Sequence, residues 1–309
     1  MAKMKLYAPG YYKEFSCIAD KCTHSCCIGW EIDIDSDTMA KYTSVNEGYG
    51  KQIRDSIDMA DSPHFRLAEG ERCPHLANNG LCRIISTLGE EYLCDICREH
   101  PRFYNDTHNG KEVGLGMACE EACRIVLESD DYARMTEIGE VDGETVPTDF
   151  DATACRNTVY AILSDDSLAY TEKLSRIQGE YGVRPTMLSD ESWREFLSTL
   201  EYLDESHREM FASYSSHPST PQDWEKPLMR ALAYYVYRHG SGARDLQEFR
   251  EAVGFSLFCE RLLASLAKAE KIESVDQLIR LARIVSEEIE YSEENTEAIR
   301  FEFSLEMEG

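Results

Sequence analysis

The sequence predicts a mainly α-helical protein in which an irregular, cysteine-rich module that binds a metal or a cluster precedes a helical domain. Ten of the twelve cysteines lie before residue 124, whereas the second half of the chain carries apolar residues at helical spacing. An acidic, polar stretch separates the two parts. We therefore expect a cysteine-rich module over 1–128, a linker over 129–152 and a helical domain over 153–309.

The composition limits the class of protein. A chain of 309 residues suffices for one large or two ordinary domains, and its 42% hydrophobic and 29% charged residues are typical of a soluble globular protein. No apolar run approaches the ~20 residues of a membrane span. The first residues also lack the apolar core of a signal peptide. The sequence thus predicts a cytoplasmic protein without a membrane partner.

The charge is strongly negative, at −26. Such a charge repels phosphate backbones, so we do not expect nucleic acid as a partner. Most of the acidic excess follows residue 125, where 38 Asp and Glu accompany 18 Lys and Arg. Two interpretations stay open: an acidic lobe that attracts a lysine-bearing substrate, or a solvated surface that keeps the protein soluble.

The clustered cysteines predict a metal site. A cytosol keeps thiols reduced, and paired thiolates at short spacing place two ligands on one small turn. Cys94-x2-Cys97 is one such half-site, and Cys22-x3-Cys26, or its neighbour Cys27, is a second. Four sulfur ligands alone do not separate zinc from an iron–sulfur cluster. The predicted ligands are Cys17, Cys22, Cys26, Cys27, Cys73, Cys82, Cys94, Cys97 and Cys119.

The remaining cysteines and the nearby histidines have simpler interpretations. A lone cysteine is usually a small buried hydrophobe, and we expect this of Cys155, Cys259 and Cys123, the last on a helix face. Three histidines lie inside the cysteine motifs and are expected to support the ligands or to lie on the surface rather than to bind metal. They are His24, His75 and His100.

The predicted regular elements of the cysteine-rich module are short. The alternation in Ile32-Asp-Ile-Asp35 indicates a strand. One or two helices are expected between Asp37 and Asp58. Another should run from Glu120 to Glu128, with Cys123 on its apolar side.

Caps mark the helices of the second half. Ser189 precedes two acidic residues and an apolar stripe, as an N-cap does. Thr220-Pro221 opens another helix, which Gly240 ends. Ser274-Val-Asp-Gln277 is a capping-box sequence. The helical stripe that follows it is expected in the core and consists of Val275, Leu278, Ala282, Val285 and Ile289.

Three groups of cysteine motifs, over Phe15–Asp33, Cys73–Ile84 and Leu88–Arg102, together resemble the flagellin lysine-N-methylase family. The resemblance continues to Cys119 and, more loosely, over the helical remainder. The same cysteine core is similar to a broader group described as zinc- or iron-chelating proteins. The motifs that carry the resemblance are Phe15-Ser-Cys17-x4-Cys22-x3-Cys26-Cys27-x-Gly-Trp30-x-Ile-Asp33, Cys73-Pro-x-Leu76, Gly80-Leu-Cys82-x-Ile84, Leu88-Gly-Glu-Glu-Tyr-Leu-Cys94-x-x-Cys97-Arg98 and Pro101-Arg102.

The resemblance implies methyl transfer from S-adenosylmethionine to lysine ε-amines of flagellin or a similar lysine-bearing protein, with a [4Fe–4S] cluster as cofactor. It leaves two other functions open: a non-enzymatic, zinc-bound interaction module, and an iron-handling or redox protein. The spacing of radical S-adenosylmethionine enzymes, Cys-x3-Cys-x2-Cys, does not occur in the sequence. A Rossmann glycine loop does not occur either.

The catalytic residues of such an enzyme are unknown from the sequence. Transfer to lysine needs a neutral amine, so a site must lower the lysine pKa or position a base. Tyr92 and Asp33 are candidates for that work, against simple structural capping. Arg98 and Arg102 are candidates to hold the cofactor carboxylate or to offset thiolate charge, against simple surface pairing.

Overall fold

The computed structural model divides the chain into two compact units. One unit comprises Met1–Phe15 and Phe103–Gly309, and the other comprises Ser16–Arg102. We call them the helical unit and the cysteine-rich unit. The described residues are mainly helical, as the sequence predicted. The structure describes residues 3–46, 48–60, 62–143, 145–183, 188–218 and 220–307.

Short elements make up the cysteine-rich unit, and long helices dominate the helical unit. None of the described helices is long and apolar enough to cross a membrane. The strands are β1 (Lys3–Pro9), β2 (Ile57–Asp58), β3 (His64–Phe65), β4 (Arg102–Thr107), β5 (Gly110–Leu115) and β6 (Met135–Asp142). The α-helices are α1 (Ser36–Ser44), α2 (Tyr49–Asp55), α3 (Arg83–Leu88), α4 (Asp95–Glu99), α5 (Glu120–Glu128), α6 (Ala152–Leu163), α7 (Tyr170–Tyr181), α8 (Asp190–Thr199), α9 (His207–Phe211), α10 (Gln222–Gly240), α11 (Leu246–Ala269), α12 (Val275–Val285) and α13 (Glu293–Met307).

A four-stranded sheet in the order β4-β5-β1-β6 explains the unit boundaries. Strand β1 pairs parallel with β5 and antiparallel with β6, so the first strand of the chain is part of the helical unit. Gly110 permits the close approach of β5, since a Cβ there would lie 2.5 Å from the Lys5 carbonyl oxygen. The compact units therefore divide the chain differently from the predicted segments 1–128 and 153–309. The expected linker, 129–152, contains strand β6.

The core of the helical unit is built around α10 and α11. Helix α11 is buried along most of its length, and an all-round apolar helix of this kind belongs in a core. The ring of Trp193, from α8, stacks on Phe258 of α11 with 4.4 Å between centroids. The stripe predicted from Val275 to Ile289 packs here, and its residues from Leu278 onward are fully buried.

Most predicted helix ends are confirmed. The Ser189 hydroxyl accepts a hydrogen bond from the Ser192 amide, and Ser274 forms the expected capping box with Gln277. Helices α1, α2 and α5 lie where they were expected. The strand predicted over Ile32–Asp35 is not formed, because this segment makes only an isolated bridge, from Asp33 to His64.

The helical unit buries an arginine whose two terminal nitrogens are paired. Arg156 of α6 is 0% exposed, and its guanidinium binds both carboxylate oxygens of Glu112 on β5, at 2.6 and 3.0 Å. It also donates to the Ser241 hydroxyl after α10. The pair thus ties the sheet to two helices, and the loss of either charge leaves the other buried without compensation.

A π-helical turn, Ser286–Glu290, follows α12 and carries a second buried carboxylate. His239 and Tyr234 hydrogen-bond to Glu290, at 2.8 and 3.3 Å, and Arg238 lies 3.5 Å away. The Tyr234 hydroxyl also accepts a hydrogen bond from the Met117 amide. This network fixes the loop that leads into α5.

The cysteine-rich unit has a small core of its own, to which the short elements α1, α2, β3 and α3 contribute. Small domains with so little apolar burial usually need a disulfide or a metal to be stable. Among the described residues, which include all twelve cysteines, no disulfide forms. The buried core residues are Ile32, Ile34, Tyr42, Tyr49, Ile53, Ile57, Phe65, Cys73, Ile84 and Cys94.

The buried Arg156–Glu112 pair gives a stability prediction. Replacing Arg156 by Leu should lower the free energy of unfolding by about 3–5 kcal/mol, because Glu112 would remain buried without its partner. The double variant Arg156→Leu/Glu112→Leu should recover much of this loss. Urea unfolding measures both. As a control, Lys5→Ala removes the exposed pair with Glu137 and should change little. Equal losses in the single and double variants would contradict the prediction.

The buried Glu260 on α11 gives a pH prediction. Its carboxyl group accepts a hydrogen bond from Tyr170, and burial raises the pKa of Glu260 to about 7 from an ordinary 4.5. The folded state therefore binds this proton more tightly than the unfolded state does. The contribution of Glu260 to the free energy of unfolding is highest at low pH and falls as the pH rises from 4.5 through 7. We expect a loss of about 2 kcal/mol between pH 5.5 and 7.5.

The test compares wild type with Glu260→Gln by urea unfolding across this pH range. The amide cannot ionise, so the variant should lack this part of the pH dependence and gain stability relative to wild type above pH 7. Glu180 on α7 is exposed, and Glu180→Gln should follow wild type. A Glu260→Gln curve parallel to wild type would show that Glu260 does not titrate in this range.

Candidate functional site

The structure places eight of the nine predicted ligands in the cysteine-rich unit. The ninth, Cys119, lies in the helical unit as the N-cap residue of α5. Cys123, one turn further along α5, is fully buried and its thiol donates to the Ile279 carbonyl at 3.3 Å. The prediction that Cys123 is a core residue is thus confirmed. Cys259 is likewise buried, and Cys155 is half-buried.

Helix α1 holds the segment that carries Cys94. The segment 91–95 joins the short 3₁₀ turn Glu90–Tyr92 to the start of α4. Its backbone polar groups need partners, and side chains of α1 and of its N-cap residue, Asp35, supply four of them. These contacts join residues 50 or more positions apart, and no local sequence pattern indicates them. The bonds run from Lys41 Nζ to Glu91 O (2.7 Å), from Tyr42 Oη to Tyr92 O (2.7 Å), from Thr38 Oγ1 to Leu93 O (3.4 Å) and from Asp95 N to Asp35 Oδ2 (2.9 Å).

Cys94 and Cys97, the pair predicted as a half-site, lie at the start of α4. Cys94 is its N-cap residue, and the Arg98 amide donates to the Cys94 carbonyl oxygen at 2.9 Å. The two thiols hydrogen-bond to each other. The Tyr42 hydroxyl lies 3.5 Å from the Cys94 sulfur. Cys94 is fully buried, whereas Cys97 is half-buried.

Backbone contacts bring two further cysteine segments together. The Cys73 amide donates to the Cys27 carbonyl oxygen at 2.8 Å, and Ile28 pairs with Arg72 in an isolated bridge. Cys82 forms another isolated bridge, with Leu76. Residues far apart in sequence thus meet within one unit, as a metal site requires.

The sulfur atoms of these segments affect one another electrostatically. The hydrogen bond with Cys97 lowers the pKa of Cys94 and raises that of Cys97, so Cys94 is the acidic member of the pair. The hydrogen bond with Cys26 lowers the pKa of Cys27 to about 7. Burial, together with a smaller effect of the charge of Cys27, raises the pKa of Cys73 to about 12. The thiols that influence one another in this way are Cys27, Cys73, Cys82, Cys94 and Cys97.

The donor chemistry of this set fits a thiolate-bound metal. Soft sulfur ligands are those that zinc and iron–sulfur clusters take, and not those of magnesium or calcium. The side chains do not, however, converge on a common centre. In the described part of the chain, no three His, Cys, Asp or Glu side chains come together as a metal-holding group. Metal binding would require the thiols to lose their protons and turn toward a common centre.

The cysteines nearer the N-terminus lie at the edge of this unit. Cys17 and Cys26 are exposed, and Cys22 is half-buried. The Cys22 thiol donates to the His24 carbonyl oxygen at 2.5 Å, and Trp30 Nε1 donates to the Cys26 carbonyl oxygen at 2.7 Å. The tryptophan of the motif therefore fixes the turn that presents Cys26.

The histidines have different environments. His75 is buried and is not a surface residue, because Tyr49 Oη and Ser56 Oγ lie 2.6 and 3.0 Å from its two ring nitrogens. Both nitrogens are thus engaged within the protein. The ring of His100 lies 6.5 Å from that of Trp30, and burial lowers the pKa of His100 to about 4. Its Nε2 atom has no hydrogen-bond partner among the described residues.

The candidate catalytic and cofactor-binding residues do not converge on one contact network. Asp33 is exposed and accepts a hydrogen bond from the Ser62 hydroxyl at 3.2 Å. Tyr92 packs against the small core, and its backbone oxygen is held by α1. The Arg98 guanidinium pairs with Asp95 and lies 3.7 Å from Glu99. Arg102 donates to the Arg98 carbonyl oxygen at 3.3 Å.

Sequence reasoning missed the residues of α1 that position the half-site. Asp35 serves twice, because one carboxylate oxygen caps α1 through the Thr38 amide at 2.9 Å and the other accepts from the Asp95 amide. The Asp35-x-x-Thr38 pattern is a capping signal, which could have marked the start of α1. Nothing local indicates that Tyr42, two turns later, reaches Cys94.

Removing the double role of Asp35 should loosen the Cys94 segment. Asp35→Ala loses a cap and a tertiary hydrogen bond, with an expected cost of about 1–2 kcal/mol. Hydrogen exchange of the segment 91–97, followed by mass spectrometry, should become faster. Ser189→Ala is the control, because it loses a comparable N-cap on α8 in the other unit. Unchanged exchange at 91–97 in Asp35→Ala would contradict the anchoring role.

Comparison with known proteins supports the family resemblance. The chain is 28% identical over 144 residues to the flagellar biosynthetic protein FliU of Salmonella muenchen, a match that covers 44% of this chain and 85% of that protein. It matches proteins named lysine-N-methylase from Salmonella typhimurium (strain LT2) and Salmonella choleraesuis (strain SC-B67) at the same identity and length. These matches confirm the resemblance to the flagellin lysine-N-methylase family that the cysteine motifs predicted.

The lengths of the relatives differ. The match covers 36% of each lysine-N-methylase, so this chain spans well under two thirds of those proteins. No protein-family model matches the chain. No solved structure matches it either.

Proposed function

We propose that this protein is a methyltransferase that transfers methyl groups from S-adenosylmethionine to lysine ε-amines of flagellin or a similar protein. The observation that carries the proposal is the similarity to proteins named lysine-N-methylase and FliU. The strongly acidic composition agrees with a basic, lysine-bearing substrate, since opposite charges raise association rates.

The reaction sets a clear demand on the protein. The lysine nitrogen attacks the methyl carbon, the bond from that carbon to the sulfonium sulfur breaks, and one proton leaves the nitrogen. Only the neutral amine has the electron pair for this attack, so the site must favour the unprotonated lysine by desolvation or by a base. Tyr92 and Asp33 remain our candidates for that role, and Arg98 and Arg102 remain candidates to hold the carboxylate of the methyl donor.

The proposal includes a [4Fe–4S] cluster bound by cysteines of the cysteine-rich unit, with zinc as the alternative metal. The thiols best placed to hold it are those of Cys27, Cys73, Cys82, Cys94 and Cys97, which already influence one another electrostatically. A bound cluster would link the three segments of the chain that carry these cysteines. Since the core of this unit is small, part of the metal-binding free energy would be folding free energy.

The central test is methylation of flagellin in a cell that makes both proteins. Mass spectrometry should detect added methyl masses on flagellin lysines with the wild-type protein. Cys97→Ser should abolish them, because it removes a proposed ligand. Cys259→Ala should retain them, because Cys259 is a core residue of the other unit. Flagellin without added mass, despite metal-loaded enzyme and bound S-adenosylmethionine, would refute the proposal.

Metal analysis of protein purified without oxygen tests the cofactor separately. A brown preparation with iron, sulfide and absorption near ~400 nm is expected, and calorimetry should detect binding of S-adenosylmethionine. Cys97→Ser should lose iron, and protease should then cleave the cysteine-rich unit faster. A colourless protein that contains only zinc and binds no S-adenosylmethionine would favour a zinc-bound interaction module instead.

A further inference from the structure

We propose that Tyr42 is a positioning residue for the metal centre, in which its buried hydroxyl group donates a hydrogen bond to the metal-bound sulfur of Cys94. The inference rests on the metal centre of the proposed function and adds a residue that touches the ligand rather than the metal.

The geometry places the hydroxyl between two partners. Tyr42 is 0% exposed, and its Oη atom lies 2.7 Å from the Tyr92 carbonyl oxygen and 3.5 Å from Cys94 Sγ. While Cys94 is a thiol, it can donate its proton to the tyrosine oxygen, and the hydroxyl donates to Tyr92. Sulfur hydrogen bonds are longer than those of oxygen, so a separation of 3.5 Å is a contact.

Metal binding changes which group can donate. A metal-bound sulfur has lost its proton and can only accept, so the Tyr42 hydroxyl becomes the donor in this contact. Its hydrogen atom is then shared between the sulfur and the Tyr92 carbonyl oxygen. A hydrogen bond of this kind withdraws electron density from the sulfur, which affects both metal affinity and reduction potential.

The surroundings prevent Tyr42 from moving away. Its ring packs against Phe65, with 6.1 Å between centroids, and its backbone oxygen accepts a hydrogen bond from Arg54 at 2.9 Å. The other α1 bonds fix the 91–95 segment on the opposite side of the contact. The hydroxyl and the sulfur are therefore held together before any metal binds, as preorganised ligand sites require.

Tyr42→Phe tests the proposal, since it removes only the hydroxyl group. Metal-free full-length protein is titrated with Co²⁺ without oxygen, and the sulfur-to-cobalt charge-transfer band is recorded. We expect Co²⁺ to bind about 10-fold more weakly. The band should move to longer wavelength, because the sulfur is richer in electrons. In iron-loaded protein, the reduction potential should become more negative.

Tyr49→Phe is the matched control. Tyr49 is a buried tyrosine of the same unit, but its hydroxyl binds His75 rather than a sulfur. It should lose stability as Tyr42→Phe does, while its charge-transfer band stays at the wild-type wavelength. As a second variant, 3-fluorotyrosine at position 42 keeps the fold and donates more strongly, so the band should move to shorter wavelength.

The outcomes separate this inference from the proposed function. If both variants at position 42 keep the charge-transfer band at the wild-type wavelength, the role of Tyr42 is overturned, and the proposed metal centre is not affected. Equal shifts in Tyr42→Phe and Tyr49→Phe would also overturn it, because a general loosening of the unit would then explain the effect. Wild-type protein that binds neither cobalt nor iron through sulfur would overturn both proposals.

Discussion

The geometry of the cysteine-rich unit depends on the hydrogen bonds between α1 and the segment 91–95. That segment connects a short 3₁₀ turn to α4, and unpaired backbone groups in a partly buried place are costly. The side chains of α1 satisfy three successive carbonyl oxygens and one amide there. The position of Cys94 and Cys97 is therefore tied to a helix that begins some sixty residues earlier, in part through the hydrogen bond that the Asp95 amide donates to the Asp35 carboxylate.

The same unit shows why folding and metal binding should be linked. Two of its ten buried core residues are the proposed ligands Cys73 and Cys94, so the core and the candidate metal site share residues. Burial opposes ionisation of Cys73, whereas the hydrogen bond with Cys97 favours the charged form of Cys94. A metal would stabilise the charged form of both sulfurs and join the segments that carry them.

The helical unit is stabilised differently. Its long helices bury a large apolar core, and several of its buried charges are paired within the protein, as Arg156 is with Glu112 and Glu290 is with His239 and Arg238. The relatives named lysine-N-methylase are much longer than the matched segment, so the proposed activity must be tested on this chain itself.

The sequence by itself determined the mainly helical class, several helix ends and the cysteine motifs, because caps and apolar stripes act between residues only three or four positions apart. Ser189, Ser274 and Gln277 could therefore be assigned correctly. Only the tertiary structure decided that β1 and the acidic segment 135–142 pair in one sheet, and that Tyr42 reaches Cys94. These contacts join residues more than fifty positions apart, and no local pattern encodes them, since each partner is satisfied only once the chain has folded.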